Sequence, residues 1–349
     1  MPNAGNGRIT AGLSRRGLLA AGGAAGIGAL LAACGSDSKS KTSGSGSEAG
    51  GNWSFVDDRN TTVTAKSAPK RIVAFTGTAA ALADFGLADR IVGVFGETTL
   101  DNGAPHPQAG DLDVKKVKVL GNAWGEFSVE KYATLDPALL VTHMYDPGAL
   151  WYVPDESKDQ ILRLAPSVAI SVAKLSLPKP IERYAELARS LGADLNAPKV
   201  TEAKARFEAA SAKLRQAAKA NGGIRVLAAS GSADTFYAST PGPAADLTYF
   251  AELGVQFVIP QDVSASGGYF ESLSWENVGK YAADLILLDN RSTALQPKDL
   301  TAKPTWNELP AVKANQVAPW DAVPRFSYAG AAPLLENLAK AVESARKLG

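Results

Sequence analysis

Cysteine occurs once in the 349 residues, at Cys34, and histidine only twice, at His106 and His143. A single cysteine excludes any disulfide within the chain, so burial must hold the fold. Two histidines and no second thiol leave too few convergent ligands for a site that captures bare zinc or manganese. The sequence has no Gly-x-Ser-x-Gly elbow, no phosphate-cradling Gly-x-x-x-x-Gly-Lys loop and no His-Glu-x-x-His pair. Gly121-Asn122-Ala123-Trp124-Gly125 is not a nucleotide fingerprint. No excess of one charge exists either: 36 basic against 35 acidic residues gives a net charge of +1, which does not point to nucleic acid.

What is present begins at the amino terminus. Arg15 and Arg16 precede an apolar insert from Gly17 to Ala33, and Leu31-Ala32-Ala33 leads into Cys34. At about 17 residues, rich in Gly and Ala, this insert falls short of the roughly 20 that span a bilayer comfortably. Positive charge, short insert and small residues before a cleavable bond resemble a bacterial lipoprotein signal with a twin-arginine motif, although ordinary secretory signals also carry paired arginines. The resemblance implies that residues 1–33 are removed and that the Cys34 thiol carries diacylglyceryl, which holds the mature protein on a membrane. Residues 34–52, rich in Ser, Gly and Lys, read as a flexible tether. Without the three arginines of the signal (Arg8, Arg15 and Arg16), 33 basic residues face 35 acidic ones, and the mature chain is near neutral.

About 300 residues remain, which suits two domains better than one core. Two related halves are legible. Arg71-Ile72-Val73-Ala74-Phe75-Thr76-Gly77-Thr78-Ala79 is echoed by Arg225-Val226-Leu227-Ala228-Ala229-Ser230-Gly231-Ser232-Ala233. Each reads as a buried strand ending in a Gly-containing turn. Ser128-Val129-Glu130 before the strand ending at Val141 is matched by Ser274-Trp275-Glu276 before the strand ending at Leu288. Two matches in the same order argue for two lobes of like topology. Between them, Val200, Ala203, Phe207, Ala210, Leu214 and Ala217 mark one face of a long helix opened by Pro198 and closed at Asn221-Gly222-Gly223. A shorter helix, Ile181 to Leu191, precedes it. The expected architecture is α/β: two similar three-layer lobes with central, mostly parallel sheets, joined by that one helix. The first lobe is placed at 53–177, the linker helices at 178–221 and the second lobe at 222–349.

Parallel sheets bind ligands outside the carboxyl ends of their strands. Two lobes set edge to edge therefore make a cleft, with the turns at Thr76-Gly77-Thr78 and Ser230-Gly231-Ser232 expected to face one another across it. Aromatic residues gather in the Gly-, Pro- and Ser-rich segments assigned to those edges: Trp124; Tyr145, Trp151 and Tyr152; Phe236 and Tyr237; Tyr269 and Phe270; Trp320, Phe326 and Tyr328. Arg325 stands among the last group, where a guanidinium can donate several hydrogen bonds to ligand oxygens or form a surface salt bridge.

Together the lipobox, the paired Arg-x-x-Ala-x-(Thr/Ser)-Gly strands, the Ser-x-Glu helices and the single connecting helix resemble the class III substrate-binding proteins of ABC importers. That family takes up ferric siderophores, haem and cobalamin. The stretch Asn122 to Trp151 and the lack of metal ligands look most like actinobacterial lipoproteins that bind hydroxamate siderophores of the ferrioxamine type. The resemblance implies a monomeric carrier without catalysis on the extracytoplasmic face of the membrane, with an ABC permease and its ATPase as partners. Iron would be held only through the siderophore, with no other cofactor. Ligand-contact roles pass to Trp320, Arg325, Phe326 and Tyr328, with Trp124 and Tyr145 opposite. Thr76, His143, Trp151, Phe236, Tyr237 and Tyr269 complete the candidate site. Glu130 and Glu276 match the family's permease-docking acids. Small lobe closure is expected, because a helix resists hinge bending. Cobalamin or haem remain alternative ligands, haem calling on Tyr145 or His143 as an axial ligand. A surface-displayed α/β hydrolase would need a nucleophile with a base or paired carboxylates in reach.

Overall fold

The structure, a computed structural model, describes residues 52–348; the signal segment, Cys34 and the tether up to residue 51 lie outside that range. The body opens with an antiparallel pair, β1 (Trp53–Val56) and β2 (Thr62–Ala65), in which Trp53, Phe55 and Val63 face inward. The first lobe follows as β3 (Ile72–Phe75), α1 (Thr76–Leu82), β4 (Ile91–Phe95), β5 (Lys118–Val119), α2 (Val129–Thr134), β6 (Leu139–Met144), α3 (Lys158–Leu164) and β7 (Ser167–Ser171). Its sheet runs β5-β4-β3-β6-β7, every pair parallel. The central strands β3 and β6 are buried at every position, as continuous apolar runs in a sheet covered on both faces must be.

Two helices then lead across, α4 (Pro178–Ser190) and α5 (Pro198–Ala220). The first starts ahead of the expected Ile181, because Pro178 and Pro180 are tolerated in a first turn whose amides have no intrahelical partner. The second buries Val200, Phe207, Ala210, Leu214 and Ala217 on the stripe its periodicity marks.

The second lobe comprises β8 (Arg225–Gly231), β9 (Thr235–Ser239), α6 (Ala245–Glu252), β10 (Gln256–Phe257), β11 (Phe270–Ser274) and β12 (Leu285–Asp289). Single-turn helices α7 (Pro297–Leu300), α8 (Pro304–Asn307) and α9 (Pro310–Lys313) lead to β13 (Val317–Trp320) and α10 (Tyr328–Ser344). The sheet order is β11-β9-β8-β12-β13, with β10 beside the start of β8. Here β9 is antiparallel to both neighbours and the other pairs are parallel.

The echo between the halves is real for the strands, since β3 and β8 are both central and β6 and β12 sit beside them. It fails where each strand ends. Thr76, Gly77 and Thr78 are the first turn of α1 and are buried, Thr76 Oγ1 lying 2.7 Å from Thr98 Oγ1. After Gly231 the chain instead folds back through Ser232 into the antiparallel β9. The two turns therefore do not face each other.

One core runs through both lobes, joining Ile72, Leu139 and Val168 to Val226, Leu285 and Leu335 through α4, α5 and α10. Polar ties reinforce it. Arg206 holds Glu336 with two bonds of 2.7 Å between α5 and α10, and Asn221 Nδ2 donates to Val342 O at 2.8 Å. Beyond β7, Lys174 N donates to Pro243 O at 3.0 Å and Leu177 N to Ala245 O at 3.0 Å.

Candidate ligand-binding cleft

The carboxyl edges of the two sheets enclose a cavity of about 520 Å³. The first lobe supplies its aromatic wall. Tyr145 and Trp151 follow β6 in one loop, which folds back so that Trp151 N donates to His143 O at 3.0 Å and Thr142 Oγ1 to Trp151 O at 2.8 Å. Their ring centroids lie 4.7 Å apart and edge to face. From the other side Tyr269, Tyr237, Trp320 and Phe326 complete the apolar lining, and Tyr269 OH reaches across to donate to Tyr145 O at 3.2 Å.

Two hydrogen-bond donors on this wall have no partner among the described residues although their atoms are buried: the Tyr145 hydroxyl and Trp151 Nε1. A buried donor left unmade is costly, and the residues that carry these two both line the cavity. Burial also pushes the Tyr145 hydroxyl above the ordinary phenol range, which keeps it a donor.

The second lobe supplies the charge. Arg291 lines the cavity, and its guanidinium is held by Asp289 at 2.6 Å, while Ser230 Oγ donates to the same carboxylate at 2.9 Å. Asp246, fully buried at the start of α6, accepts from Trp320 Nε1 at 2.6 Å. Desolvation pushes Asp246 up to about 6. Asp321, beside Trp320, is pushed up to about 7 by desolvation and by repulsion from Asp246. These charged residues were not singled out from the sequence. The available signal was position: Asp289 and Arg291 stand at the carboxyl end of β12, an apolar strand, where ligands of such sheets bind.

Of the candidate residues, the structure brings together Tyr145, Trp151, Tyr237, Tyr269, Trp320 and Phe326. Trp124 stands outside them, 65% exposed and edge-on to Trp151 at 5.1 Å, so it belongs to the rim. His143 lies behind the wall, wholly buried among Phe75, Tyr145, Trp151 and Phe326, with both ring nitrogens unpartnered. Burial lowers it to about 3, so the ring is neutral. Thr76 is sealed beneath β4 by bonds to Phe95 O at 3.1 Å and to Thr98.

Three further candidates are turned away from the cavity. Phe236 packs on Trp275 and Trp306, because neighbours along a strand point to opposite faces and Tyr237 holds the cavity side. Tyr328, first residue of α10, packs on Phe85 and Phe207 at the back of the molecule. Arg325 is an interlobe clamp: its guanidinium meets Asp84 of the first lobe at 3.2 Å, and Ser327 Oγ donates to the same carboxylate at 2.5 Å. Gly110 makes room for it, since a Cβ there would lie 1.8 Å from Arg325 Nη1.

Glu130, in α2, and Glu276, in the short helix after β11, are both exposed. Ser128 N donates to Leu120 O just past β5, and Trp275 Nε1 to Ser232 O just past β8. Both glutamates thus stand at the carboxyl edge of their own sheet. Among the described residues no cluster of His, Cys, Asp and Glu is arranged to hold a metal ion, and no helix is long and apolar enough to cross a membrane.

A sheet-and-helix lobe repeated about a long helix, with a ligand-sized cleft between, defines a substrate-binding protein. Residues 72–324 match the Periplasmic binding protein family, and the chain belongs to that family. It is 56% identical to the ferric-siderophore receptor protein DesE of Streptomyces coelicolor, covering 85% of this chain and 100% of that one with a TM-score of 0.82. The siderophore periplasmic binding protein from the fuscachelin gene cluster of Thermobifida fusca shares the fold at 21% identity, covering 79% and 96% of the two chains (TM-score 0.56). Staphylococcus aureus SirA, solved with staphyloferrin B, does so at 18%, covering 84% and 99% (TM-score 0.60). No curated protein matches the chain.

Proposed function

We propose that this protein captures a ferric hydroxamate siderophore between its lobes and delivers it to an ABC permease, without catalysing a reaction. The observation that carries the reading is the pair of buried, unpartnered donors, Tyr145 OH and Trp151 Nε1, on the aromatic wall of the cleft. The 56% identity to a ferric-siderophore receptor along that protein's whole length supports it. A ferric trihydroxamate has its coordination filled by its own oxygens, so its receptor needs shape, apolar walls for the linkers and a few donors, not metal ligands. A trianionic catecholate complex fits poorly here: among the described residues one guanidinium, that of Arg291, lines the cleft, and Asp289 already holds it.

Delivery rests on Glu130 and Glu276, which we assign to basic pockets of the permease. Their exposure at the cleft-side edge of each lobe supports that role. Cys34, through its lipid, anchors the carrier on the extracytoplasmic face, and the following tether lets the cleft turn towards the permease. Titration of the tryptophan fluorescence with a ferric linear trihydroxamate tests the ligand: quenching saturates at micromolar concentration or below. An unchanged spectrum at that concentration sinks the assignment. Charge reversal at both glutamates should abolish uptake and leave the titration as it was.

A further inference from the structure

A second cavity, of about 340 Å³, opens on the second lobe and shares no residue with the cleft. It lies on the sheet face opposite α5 and α10. Its interior is apolar: Leu227 of β8 and Ile286 of β12 meet Val278, Ala283, Leu309 and Ala311, all of them buried. The walls are fixed from outside. Thr305 Oγ1 donates to Trp275 O at 2.7 Å, which ties α8 to the short helix Trp275–Lys280, and Gln261 N donates to Tyr281 OH at 2.9 Å. Two exposed acids, Glu276 and Glu308, stand at the mouth. Glu308 is paired with Lys313 at 2.5 Å. Glu276 has no ion pair among the described residues: its bonds come from Ser274 and its own amide, and Lys303, whose charge acts on it, already donates to Ala233 O at 2.6 Å.

Gly279 completes the mouth. Its φ lies outside the left-handed region, and a Cβ added there would meet nothing within 4 Å. Neither the backbone nor packing within the chain therefore calls for glycine, which weakens a helical turn relative to alanine. What glycine allows at an exposed position is close approach by another backbone. Resting on the proposed delivery to an ABC permease, we propose that this cavity is a socket for that permease. An extracytoplasmic loop lays its backbone against Gly279, seats one apolar side chain over Leu227 and Ile286, and sets an adjoining lysine or arginine against Glu276. The unpaired carboxylate selects the cation, and the apolar floor supplies contact that salt does not screen. Docking on this lobe is thereby a pocketed anchor, where a surface ion pair alone would contribute little.

The test measures uptake of a radioiron-labelled ferric linear trihydroxamate in cells whose own copy is replaced by a variant, beside the fluorescence titration of the purified full-length protein. Gly279→Phe, which blocks the mouth, should lower uptake about tenfold or more while the titration and the thermal midpoint stay as they were. Gly279→Ala should raise the thermal midpoint slightly and lower uptake only about two- to threefold. Normal uptake with Gly279→Phe overturns the socket. So does a matching loss of ligand affinity, which reports a distorted lobe. A dimer of the unaltered protein in sedimentation that Gly279→Phe abolishes gives the socket to a second copy and overturns the permease as its occupant. Should Gly279→Phe fail to fold, Ala282→Phe, at another exposed residue of the mouth, decides in its place. If charge reversal at Glu130 and Glu276 also leaves uptake intact, the delivery reading itself falls, whereas intact uptake with Gly279→Phe alone removes only the socket.

Discussion

The two lobes start from the same strand and end it differently, and the difference divides the labour of the cleft. In the first lobe β3 runs directly into α1, whose opening turn is packed solid, so that edge offers no room above the central strand. In the second, β8 turns back into the antiparallel β9 and leaves Ser230, Gly231 and Ser232 open to the cavity. The first lobe contributes a wall carried by one loop after β6, with aromatic faces and uncharged donors. The second contributes a basin with carboxylates and one paired guanidinium. A repeated topology thus yields an asymmetric site, apolar on one side and charged on the other.

Substitutions that act on one lobe's contribution sharpen this contrast. Arg325→Met leaves Asp84 buried without its cation and should cost about 3 kcal/mol or more of stability in urea unfolding. Siderophore affinity should stay within about threefold, since the clamp lies outside the cleft; a large loss of affinity would restore Arg325 to the site. Next in size, Trp151→Ala removes an aromatic wall and a donor together and should weaken binding by roughly 30- to 100-fold by fluorescence or calorimetric titration. Tyr145→Phe, which removes one donor only, should cost about 5- to 10-fold.

The charged side is read through pH. Asp321 titrates at about 7 in the folded protein, above the usual 3.8 of the unfolded chain. Its folded form therefore holds an extra proton between those values, and the stability this gives is lost as pH rises through about 7. Asp321→Asn should accordingly raise the thermal midpoint at pH 8, by about 2–4 °C for each kcal/mol of relief, and give little advantage near pH 4. A variant with the same gain at both pH values contradicts the origin in ionisation. His143, lowered to about 3, works in the opposite sense: its contribution is lost as pH falls below the usual 6.5. Comparing variant with parent at each pH removes it from the result.

The smallest effect tests the alternation of β9. Phe236→Leu should lower stability by roughly 1 kcal/mol with binding unchanged, whereas Tyr237→Leu should weaken binding a few-fold with stability nearly unchanged. An exchange of those outcomes would place the wrong face of β9 on the cavity.

Much of the fold was legible because long-period signals carried it. The buried runs of β3, β6, β8 and β12, and the stripe on α5, state their burial in the order of residues alone. The site was legible in part. Tyr145, Trp151, Tyr237, Tyr269, Trp320 and Phe326 were found as aromatics in loops and strand ends, and they do line the cavity. Phe236, Tyr328 and Arg325 share the same local character and point elsewhere. For Phe236 the alternation of β9 held the answer, once the strand was known to continue through it. For Arg325 nothing local did: its partner, Asp84, lies in the other lobe. Asp246 and Asp321 escaped for a similar reason, since neither a first-turn acid of a helix nor one just past a strand carries a local mark of the desolvation that distinguishes it.

By itself, the amino-acid order determined two α/β halves, a helix to join them, a cleft edged with aromatics and the poverty of metal ligands. Those follow from periodicity and composition, which act over neighbouring residues. Tertiary structure alone decided which aromatics face the cleft, that Thr76 is sealed, that Arg325 clamps the lobes and that Asp246 is buried against Trp320. Burial, desolvation and pairing depend on atoms brought together from distant parts of the chain, and those meetings exist only after it has folded.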